Sequence, residues 1–336
     1  MGGLSVITPC YNAANFLGAA IRSVQEQTLP TSGHIIVNDG SADCSSEIVR
    51  ELAAGDSRIA LAEQENRGCA AARNAGFKVL SDPTQYVAFL DADDCWAPGF
   101  VEIMCNYLDE NPKVGMVHCA AETIDQAGLS ISGSAGGALW PKRYIPTRWG
   151  VRALRDHERR TPFVSIFALA GIVPSLCVFR REVYAATRGW DEDLRIGYED
   201  VALYLQVALV SEVHFIPQKL VRYRRHPEQS TQRETAIYPA QERRMYESLE
   251  RVVCGPSASF LISEGRWFRE RRLGAIRGFQ AAVRHARRAE WKAAVRFFGG
   301  AMRRYIPSLL RVPEFCQRGE LDEEPCLAAS RFRSDE

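Results

Sequence analysis

The chain has 336 residues, of which 46% are hydrophobic and 25% are charged, as in ordinary folded domains. These fractions exclude a largely disordered chain, a collagen-like repeat and a protein with many membrane spans. The 42 basic and 41 acidic side chains leave a net charge of +1, which gives no reason to expect a nucleic-acid partner.

The predicted elements of the first 120 residues alternate between strands and helices. Short apolar runs that end in turn residues predict strands, and apolar residues at helical spacing predict helices. The predicted strands cover residues 4–7, 34–37, 58–62, 86–90 and 114–118, and the predicted helices cover residues 15–27, 45–52, 70–80 and 100–108. This alternation predicts an α/β fold with a doubly wound, mostly parallel sheet flanked by helices.

The second half of the chain is less regular. Residues 125–160 include a glycine-rich segment and predict a loop or lid. Residues 163–179 are apolar, but they contain Pro174 and fall short of the roughly 20 residues that span a bilayer, so they predict a buried core segment. Further on we predict a helix over 200–210, strands over 213–216 and 219–223, and amphipathic helices from 241 onward.

The charge is unevenly distributed along the chain. Residues 241–311 contain 16 Arg or Lys and 6 acidic residues, an excess of +10, so the remainder carries −9. Three roles are open for the basic C-terminal helices: covering the core, lying on an anionic membrane, or binding nucleic acid. The last is disfavoured because no known nucleic-acid-binding motif accompanies the charge.

The ten cysteines are scattered, with none at the spacing of a zinc site or a redox pair. Scattered thiols are typical of a reducing compartment, and the N-terminus lacks the pattern of a signal peptide. The sequence therefore predicts a cytoplasmic protein, at the inner face of the membrane if the basic helices bind it.

Polar clusters follow three of the predicted strands, at residues 8–12, 38–41 and 91–94. Ligands of doubly wound sheets bind beyond the carboxyl ends of the strands. We therefore expect the three clusters to lie together at the ligand-binding edge.

Asp91 and Asp93 form a candidate metal site. Two carboxylates this close repel each other unless a cation or a proton compensates them, and oxygen ligands suit Mg²⁺ or Mn²⁺. The alternative is an acidic turn that caps the following helix. Asp39 is a candidate to hydrogen-bond a base or a ribose at the ligand-binding edge, with an ordinary turn at Asn38-Asp39-Gly40 as the alternative, since such a turn favours these residue types by itself.

Six short motifs together resemble family 2 glycosyltransferases with the GT-A fold. They are Val6-Ile7-Thr8-Pro9-Cys10-Tyr11-Asn12, Val37-Asn38-Asp39-Gly40-Ser41, Asn66-Arg67-Gly68 through Ala72-Arg73-Asn74, Phe89-Leu90-Asp91-Ala92-Asp93-Asp94, Gly189-Trp190-Asp191-Glu192-Asp193-Leu194, and Glu199-Asp200. Each motif is weak alone, but their order over residues 3–230 is specific.

The resemblance implies an inverting transfer of a sugar from a nucleotide-diphosphate donor to an acceptor hydroxyl, with Mn²⁺ or Mg²⁺ as cofactor. Uridine diphosphate is the commonest donor nucleotide in the family, with guanosine and thymidine forms open. The implied acceptor is a saccharide or a lipid-linked saccharide in surface polysaccharide or glycolipid biosynthesis. The implied division is a donor-binding half (residues 1–125), an acceptor-binding and catalytic half of the same domain (126–240), and a basic helical C-terminal extension (241–336).

The resemblance also implies roles for individual residues. Asp200 resembles the general base, with an ordinary acid in the first turn of a helix as the alternative. Asp93 and His226 would hold the metal, although His226 also fits an ordinary surface loop. Trp190 and Glu199 would contact the acceptor. The implied donor-binding residues are Thr8, Pro9, Tyr11, Asp39, Arg73, Asp91 and Ala92.

Two other functions remain open at this point. A non-catalytic sugar-nucleotide-binding scaffold would keep the donor site without chemistry. Another nucleotide-dependent transferase would use the same edge and metal, but the chain has no glycine-rich phosphate loop that carries a lysine.

Overall fold

The computed structural model describes residues 3–80, 84–131, 138–139, 144–147, 150–167, 171–195, 198–229 and 238–252, together with residues 262–263, 265–266, 293, 296 and 301. Most of the predicted basic C-terminal extension, and the glycine-rich part of the predicted lid, lie outside the described residues.

The first half of the chain builds alternating strands and helices, as predicted. The elements are β1 (Leu4–Cys10), α1 (Ala14–Gln25), β2 (Gly33–Asp39), α2 (Ser45–Gly55), β3 (Ile59–Gln64), α3 (Cys69–Lys78), β4 (Tyr86–Phe89), β5 (Cys95–Trp96), α4 (Phe100–Glu110) and β6 (Val114–Ile124).

The second half adds short elements and three long ones. They are β7 (Ala138–Leu139), β8 (Tyr144–Thr147), β9 (Gly150–Ala153), α5 (Phe163–Phe167), a 3₁₀ turn (Pro174–Leu176), β10 (Cys177–Arg180), α6 (Arg181–Ala185), α7 (Tyr198–Val210), β11 (Glu212–Arg224) and α8 (Tyr238–Val252).

One main sheet runs through both halves in the order β3-β2-β1-β4-β10-β6-β11-β5, with β7 paired to β6. The pairs among β3, β2, β1 and β4 are parallel, whereas β10 is antiparallel to both β4 and β6. Strands β8 and β9 form a separate hairpin within the predicted lid segment. The predicted α/β fold, with its curled, mostly parallel sheet and flanking helices, is confirmed.

Several boundaries differ from those that the sequence predicts. Strand β6 continues to Ile124, and the two strands predicted over 213–216 and 219–223 are one strand, β11, with register shifts along its pairing to β6. The pattern breaks at these shifts because the extra residues turn successive side chains away from strict alternation.

The apolar segment over 163–179 is part of the core, as predicted. Ile166, Phe167, Leu176, Val178 and Phe179 are all fully buried. The sequence pattern does not reveal α5, the 3₁₀ turn and β10 within this segment. A strand that is buried on both faces shows no alternation of polar and apolar residues. None of the helices in the described part of the chain is both long and apolar enough to cross a bilayer.

Helix α3 lies unusually close to the sheet because of Gly76. A Cβ atom at this position would lie 2.5 Å from Cγ2 of Ile7 in β1 and 3.1 Å from Cγ2 of Val37 in β2. Both neighbours are buried and β-branched, so neither side chain can turn aside cheaply. This close packing fixes the height of α3 above the carboxyl ends of the strands.

Replacing Gly76 with Ala tests this packing. Helix propensity alone favours Ala by up to about 1 kcal/mol, but overpacking a filled core costs about 1–3 kcal/mol. We expect Gly76→Ala to lower the free energy of unfolding in urea, and Gly55→Ala, at the open end of α2 with nothing within 4 Å, to leave it equal or higher. Equal stability of both variants would contradict the close approach of α3.

Candidate active site

The carboxyl ends of β1, β2 and β4 meet at one edge of the sheet, as the sequence predicts. Thr8 and Pro9 lie within the buried strand β1, and the Thr8 hydroxyl is hydrogen-bonded to Nε2 of His34 at 2.8 Å. Tyr11 follows the strand and is 55% exposed. Among these three predicted donor-binding residues, Tyr11 is the one with an exposed side chain, and it lies just after the end of β1.

The loops after β1 and β2 are joined by side-chain hydrogen bonds. The backbone N–H of Asn12 donates to Oγ of Ser41 at 3.0 Å, and the N–H of Ala42 donates to Oδ1 of Asn12 at 2.8 Å. Asn12 adopts a positive φ of 48°, a conformation that Asn tolerates better than most residues. Asp43 accepts a hydrogen bond from the N–H of Ala14 at the start of α1. The two loops thus form one rigid edge.

The carboxylate of Asp39 holds the loop between β3 and α3. Its Oδ1 accepts hydrogen bonds from the N–H of Arg67 at 2.9 Å and from Nε2 of Gln64 at 2.7 Å, and its Oδ2 accepts from the N–H of Gly68 at 2.8 Å. Asp39 is almost fully buried. It therefore does more than close a turn, because it fixes the start of the helix that carries Arg73.

Arg73 and Asp91 form a buried ion pair at the centre of the site. Nη2 of Arg73 donates to Oδ1 of Asp91 at 2.7 Å, and the Arg73 side chain is only 5% exposed. The N–H of Asp91 donates to Oγ of Ser175, which attaches the segment after β4 to the turn before β10. Burial raises the pKa of Asp91, and Arg73 opposes that rise.

The same guanidinium group faces the first turn of α7. Nη1 of Arg73 lies 3.9 Å from Oδ1 of Asp200, and Oε1 of Glu199 accepts a hydrogen bond from the thiol of Cys69 at 3.6 Å. Burial raises the pKa of Asp200 well above its usual range, Glu199 adds to this rise, and Arg73 counteracts it. Asp200 and Glu199 are thus brought close to Asp91, although more than 100 residues separate them in sequence.

Trp190 lies beneath Arg73. The guanidinium carbon of Arg73 is 4.4 Å from the ring centroid of Trp190, and this ring also meets Phe89 and Tyr204 edge-on. Trp190 is only 2% exposed. Its predicted acceptor contact stays a prediction, and in this structure the ring supports the buried cation.

Asn74 anchors the loop that carries Trp190. Its Oδ1 accepts from the N–H of Trp190 at 3.0 Å, and its Nδ2 donates to the carbonyl of Trp190 at 2.8 Å and to Glu192 at 3.1 Å. Gly189 has a φ of +70°, and a Cβ there would lie 2.9 Å from Oδ1 of Asn74. No role for Asn74 is predicted from the sequence, although Asn74 directly follows Arg73 in the same motif.

Asp93 and His226 are in contact, as their predicted shared role requires. Nε2 of His226 lies 3.0 Å from Oδ2 of Asp93, and the imidazole packs on Phe16 with ring centroids 4.8 Å apart. His226 follows β11 and Asp93 follows β4, so folding closes a separation of 133 residues. Ala92, the remaining predicted donor-binding residue, is buried between Asp91 and Asp93.

Arg224 holds the acidic segment at Asp93 and Asp94 in place through hydrogen bonds. Its Nε donates to the carbonyl of Asp93 at 2.8 Å, and its backbone N–H donates to Oδ1 of Asp94 at 2.9 Å. Its Nη1 donates to the carbonyls of Asp125 and Gln126. This arginine is therefore buried and bound to the backbone.

The carboxylate oxygen of Asp93 and the imidazole nitrogen of His226 suit two ligands of a divalent metal whose other ligands come from a bound substrate. Two neighbouring ligands of an octahedral ion, each about 2.1 Å from it, lie about 3.0 Å apart, and that is the separation observed here. Within the described residues, no three His, Cys, Asp or Glu side chains form a complete metal cage. Phosphate oxygens of a substrate are the usual remaining ligands of Mg²⁺.

These features define an α/β protein with a group of carboxylates beyond the ends of its parallel strands. The sequence model of glycosyl transferase family 2 matches residues 5–186, more than half of the chain. The chain therefore belongs to glycosyltransferase family 2, as its motifs indicate.

Named relatives agree with this membership. The chain is 36% identical over 161 residues to a glycosyltransferase of Rickettsia bellii, covering 45% of this chain and 23% of that protein. It is 42% identical over 101 residues to the glycosyltransferase GlyA of Streptococcus pneumoniae, covering 30% of this chain and 14% of GlyA. It thus spans less than a quarter of the length of either relative. A glycosyltransferase of Rickettsia typhi is 29% identical over 73% of this chain and 70% of its own.

Solved structures with the same fold include S. aureus TarS 1–349 in complex with UDP-GlcNAc. Its TM-score is 0.62 at 15% identity, over 95% of this chain and 88% of that one. The mannosyltransferase PcManGT from Pyrobaculum calidifontis, in complex with GDP-Man and Mn²⁺, gives 0.53 at 19% identity, over 80% and 70%. At these identities the likeness establishes the fold, which is of the GT-A type.

Replacing Asp39 with Asn tests its hold on the loop before α3. The variant puts an amide donor in place of one acceptor oxygen, leaving a backbone N–H at Arg67 or Gly68 without a partner. We expect a loss of about 2 kcal/mol in the free energy of unfolding in urea. The exposed Glu65 lies in the same loop, and Glu65→Gln should change the stability little. Equal stability of the two variants would contradict the anchoring role.

Proposed function

We propose that the protein is an inverting, metal-dependent glycosyltransferase that moves a sugar from a nucleotide-diphosphate donor to an acceptor hydroxyl. The observation that carries this proposal is the contact of Arg73 with Asp91 on one side and Asp200 on the other. It joins the carboxylates beyond the parallel strands to a carboxylate at the start of α7. This supports a donor site and a proton acceptor that would lie side by side.

The donor would lie along the edge formed by β1, β2 and β4. Tyr11 would border the nucleoside, Asp39 would stand at the base, and Asp91 and Ala92 would approach the ribose and diphosphate. The rigid loops after β1 and β2 support this arrangement, because a preformed site orders fewer groups on binding. Since Asp39 already accepts three hydrogen bonds, it would contact the base through its remaining lone pair.

Asp93 and His226 would hold Mn²⁺ or Mg²⁺, which would stabilise the negative charge on the leaving nucleoside diphosphate. The 3.0 Å separation of their ligand atoms supports this role. Uridine diphosphate is our first choice of nucleotide, because TarS has the same fold and was solved with UDP-GlcNAc. The Mn²⁺ complex of PcManGT supports the choice of a divalent metal.

Asp200 would accept the proton of the attacking hydroxyl. A single base on the face opposite the leaving group gives an in-line displacement and inverts the anomeric centre, by analogy with inverting glycoside hydrolysis. Glu199 and Trp190, from the neighbouring elements, would border the acceptor. Burial raises the pKa of Asp200, and Arg73 opposes this rise.

The acceptor that we propose is a saccharide or lipid-linked saccharide used in surface polysaccharide or glycolipid synthesis, at the cytoplasmic side of the membrane. The basic composition of residues 241–311 supports attraction to anionic lipids. The seven described cysteines are all free, which suits a reducing compartment.

A panel of nucleotide sugars tests donor and metal together. The panel contains UDP-GlcNAc, UDP-glucose, GDP-mannose and dTDP-glucose, each with Mn²⁺, with Mg²⁺ and with EDTA. We expect one donor to raise the Tm only with metal, because a ligand stabilises the fold that binds it. Asp93→Ala should abolish this shift, and Glu110→Ala, an exposed residue at the far end of α4, should retain it. A full Tm shift in EDTA would contradict metal dependence.

Replacing Asp200 with Asn tests the general base. The amide keeps the size of the side chain but accepts no proton, so we expect donor hydrolysis and transfer to fall by about 10²–10⁴-fold. The donor-induced Tm shift should persist, because the change lies outside the donor edge. Unchanged turnover in Asp200→Asn would overturn the assignment, and donor binding without turnover in the wild type would favour the non-catalytic scaffold.

A further inference from the structure

Two buried polar atoms that face each other are left without hydrogen bonds in the described structure. They are Nη1 of Arg73 and Oδ1 of Asp200, and 3.9 Å separates them. An N–H···O hydrogen bond needs about 2.9 Å, so closing this gap takes a movement of about 1 Å. Unpaired buried groups of opposite charge are costly, and here each is the natural partner of the other.

The position of Arg73 is fixed from the other sides. Nη2 is bound to Asp91 and the plane of the guanidinium lies over Trp190, so the group cannot turn away from α7. Gly76 lets α3 approach the sheet, and Asn74 holds the Trp190 loop in place. Nη1 and Nε are the guanidinium nitrogens without a hydrogen bond, and Nη1 faces the carboxylate that the proposed reaction uses.

We propose that Arg73 is a positioning residue that keeps the carboxylate of Asp200 ionised and oriented for proton transfer. The proposal rests on the proposed function of Asp200 as the base. Arg73 was expected to touch the donor, but its side chain is buried behind Asp91. A buried carboxylate beside a second acid would otherwise take up a proton and lose its ability to accept one from the acceptor.

Several charged and titratable groups surround Asp200. Glu199 lies on the same helix and favours the protonated form of Asp200, as does the more distant Asp91, while Arg73 is the cation that favours the ionised form. The other titratable groups that interact with Asp200 are Cys69, Cys177 and Tyr204. Burial raises the pKa of each of these three well above its usual value, so all three are neutral near pH 7.

The test is the pH dependence of donor hydrolysis, with water as acceptor, in the wild type and in two variants of opposite effect. The probe is the nucleotide sugar that gives the largest Tm shift in the panel. Arg73→Met removes the cation, so the acid limb should move to higher pH by about one unit or more, a loss of about tenfold below the limb. Glu199→Gln removes the neighbouring negative charge, so the acid limb should move to lower pH.

Two further variants separate positioning from general destabilisation. Arg73→Lys keeps the charge without the fork-shaped geometry, so its acid limb should lie between those of the wild type and Arg73→Met. Gly76→Ala disturbs the packing of α3 but no charge, so its limb should coincide with that of the wild type even where its rate is lower. If Arg73→Met does not fold, Glu199→Gln and Arg73→Lys still decide the question.

The outcomes distinguish this inference from the proposed function. Acid limbs that move in opposite directions support the role of Arg73. Hydrolysis with limbs that coincide in all variants overturns the positioning role and leaves the transferase intact. Absence of hydrolysis of every donor by the wild type overturns the proposed function and, with it, the role of Arg73.

Discussion

The site depends on one buried cation, Arg73, held among carboxylates from distant parts of the chain. An arginine with a side chain 5% exposed has lost its hydration, and only the ion pair with Asp91, the nearby Asp200 and the face of Trp190 compensate this loss. The surrounding structure serves this arrangement. Gly76 sets the distance of α3 from the sheet, and Ser175 fixes the backbone at Asp91. Removing Asp91 would leave the Arg73 cation buried without its hydrogen-bonded counter-ion.

The sequence predicts the general fold and the edge of the sheet that binds ligands. Alternating patterns locate β1 through α4 within a few residues, except for the two-residue β5, because the other elements there have a regular buried face. The motif order identifies the family, and the prediction that the three polar clusters meet is confirmed. Asp93 and His226, to which the resemblance assigns one metal, are in contact. Local patterns suffice for these features, since each depends on residues that are close in sequence or on the rule for parallel strands.

The sequence does not predict which polar side chains are buried and bonded to other protein groups. Arg73 and Arg224 stand next to predicted ligand-binding residues in the sequence. Both are nevertheless buried and hydrogen-bonded to protein atoms. Trp190 lies beneath the buried cation, a contact that the sequence does not indicate. The contacts of Trp190 and Arg224 join residues more than 100 positions apart, which single-sequence patterns do not encode. Strand β10 was missed for a related reason, because a central strand buried on both faces looks like any apolar segment.

Strand β10 has a consequence for how the chain assembles. It stands between β4 and β6 and is antiparallel to both, yet it is made about 50 residues after β6 ends. Until residues 177–180 leave the ribosome, β4 and β6 each expose an unpaired, apolar edge, a template for association with other chains. A fragment that ends near residue 125 would therefore carry the complete donor edge and still aggregate. The proposed boundary at residue 125 therefore does not divide the sheet, which is the unit that folds.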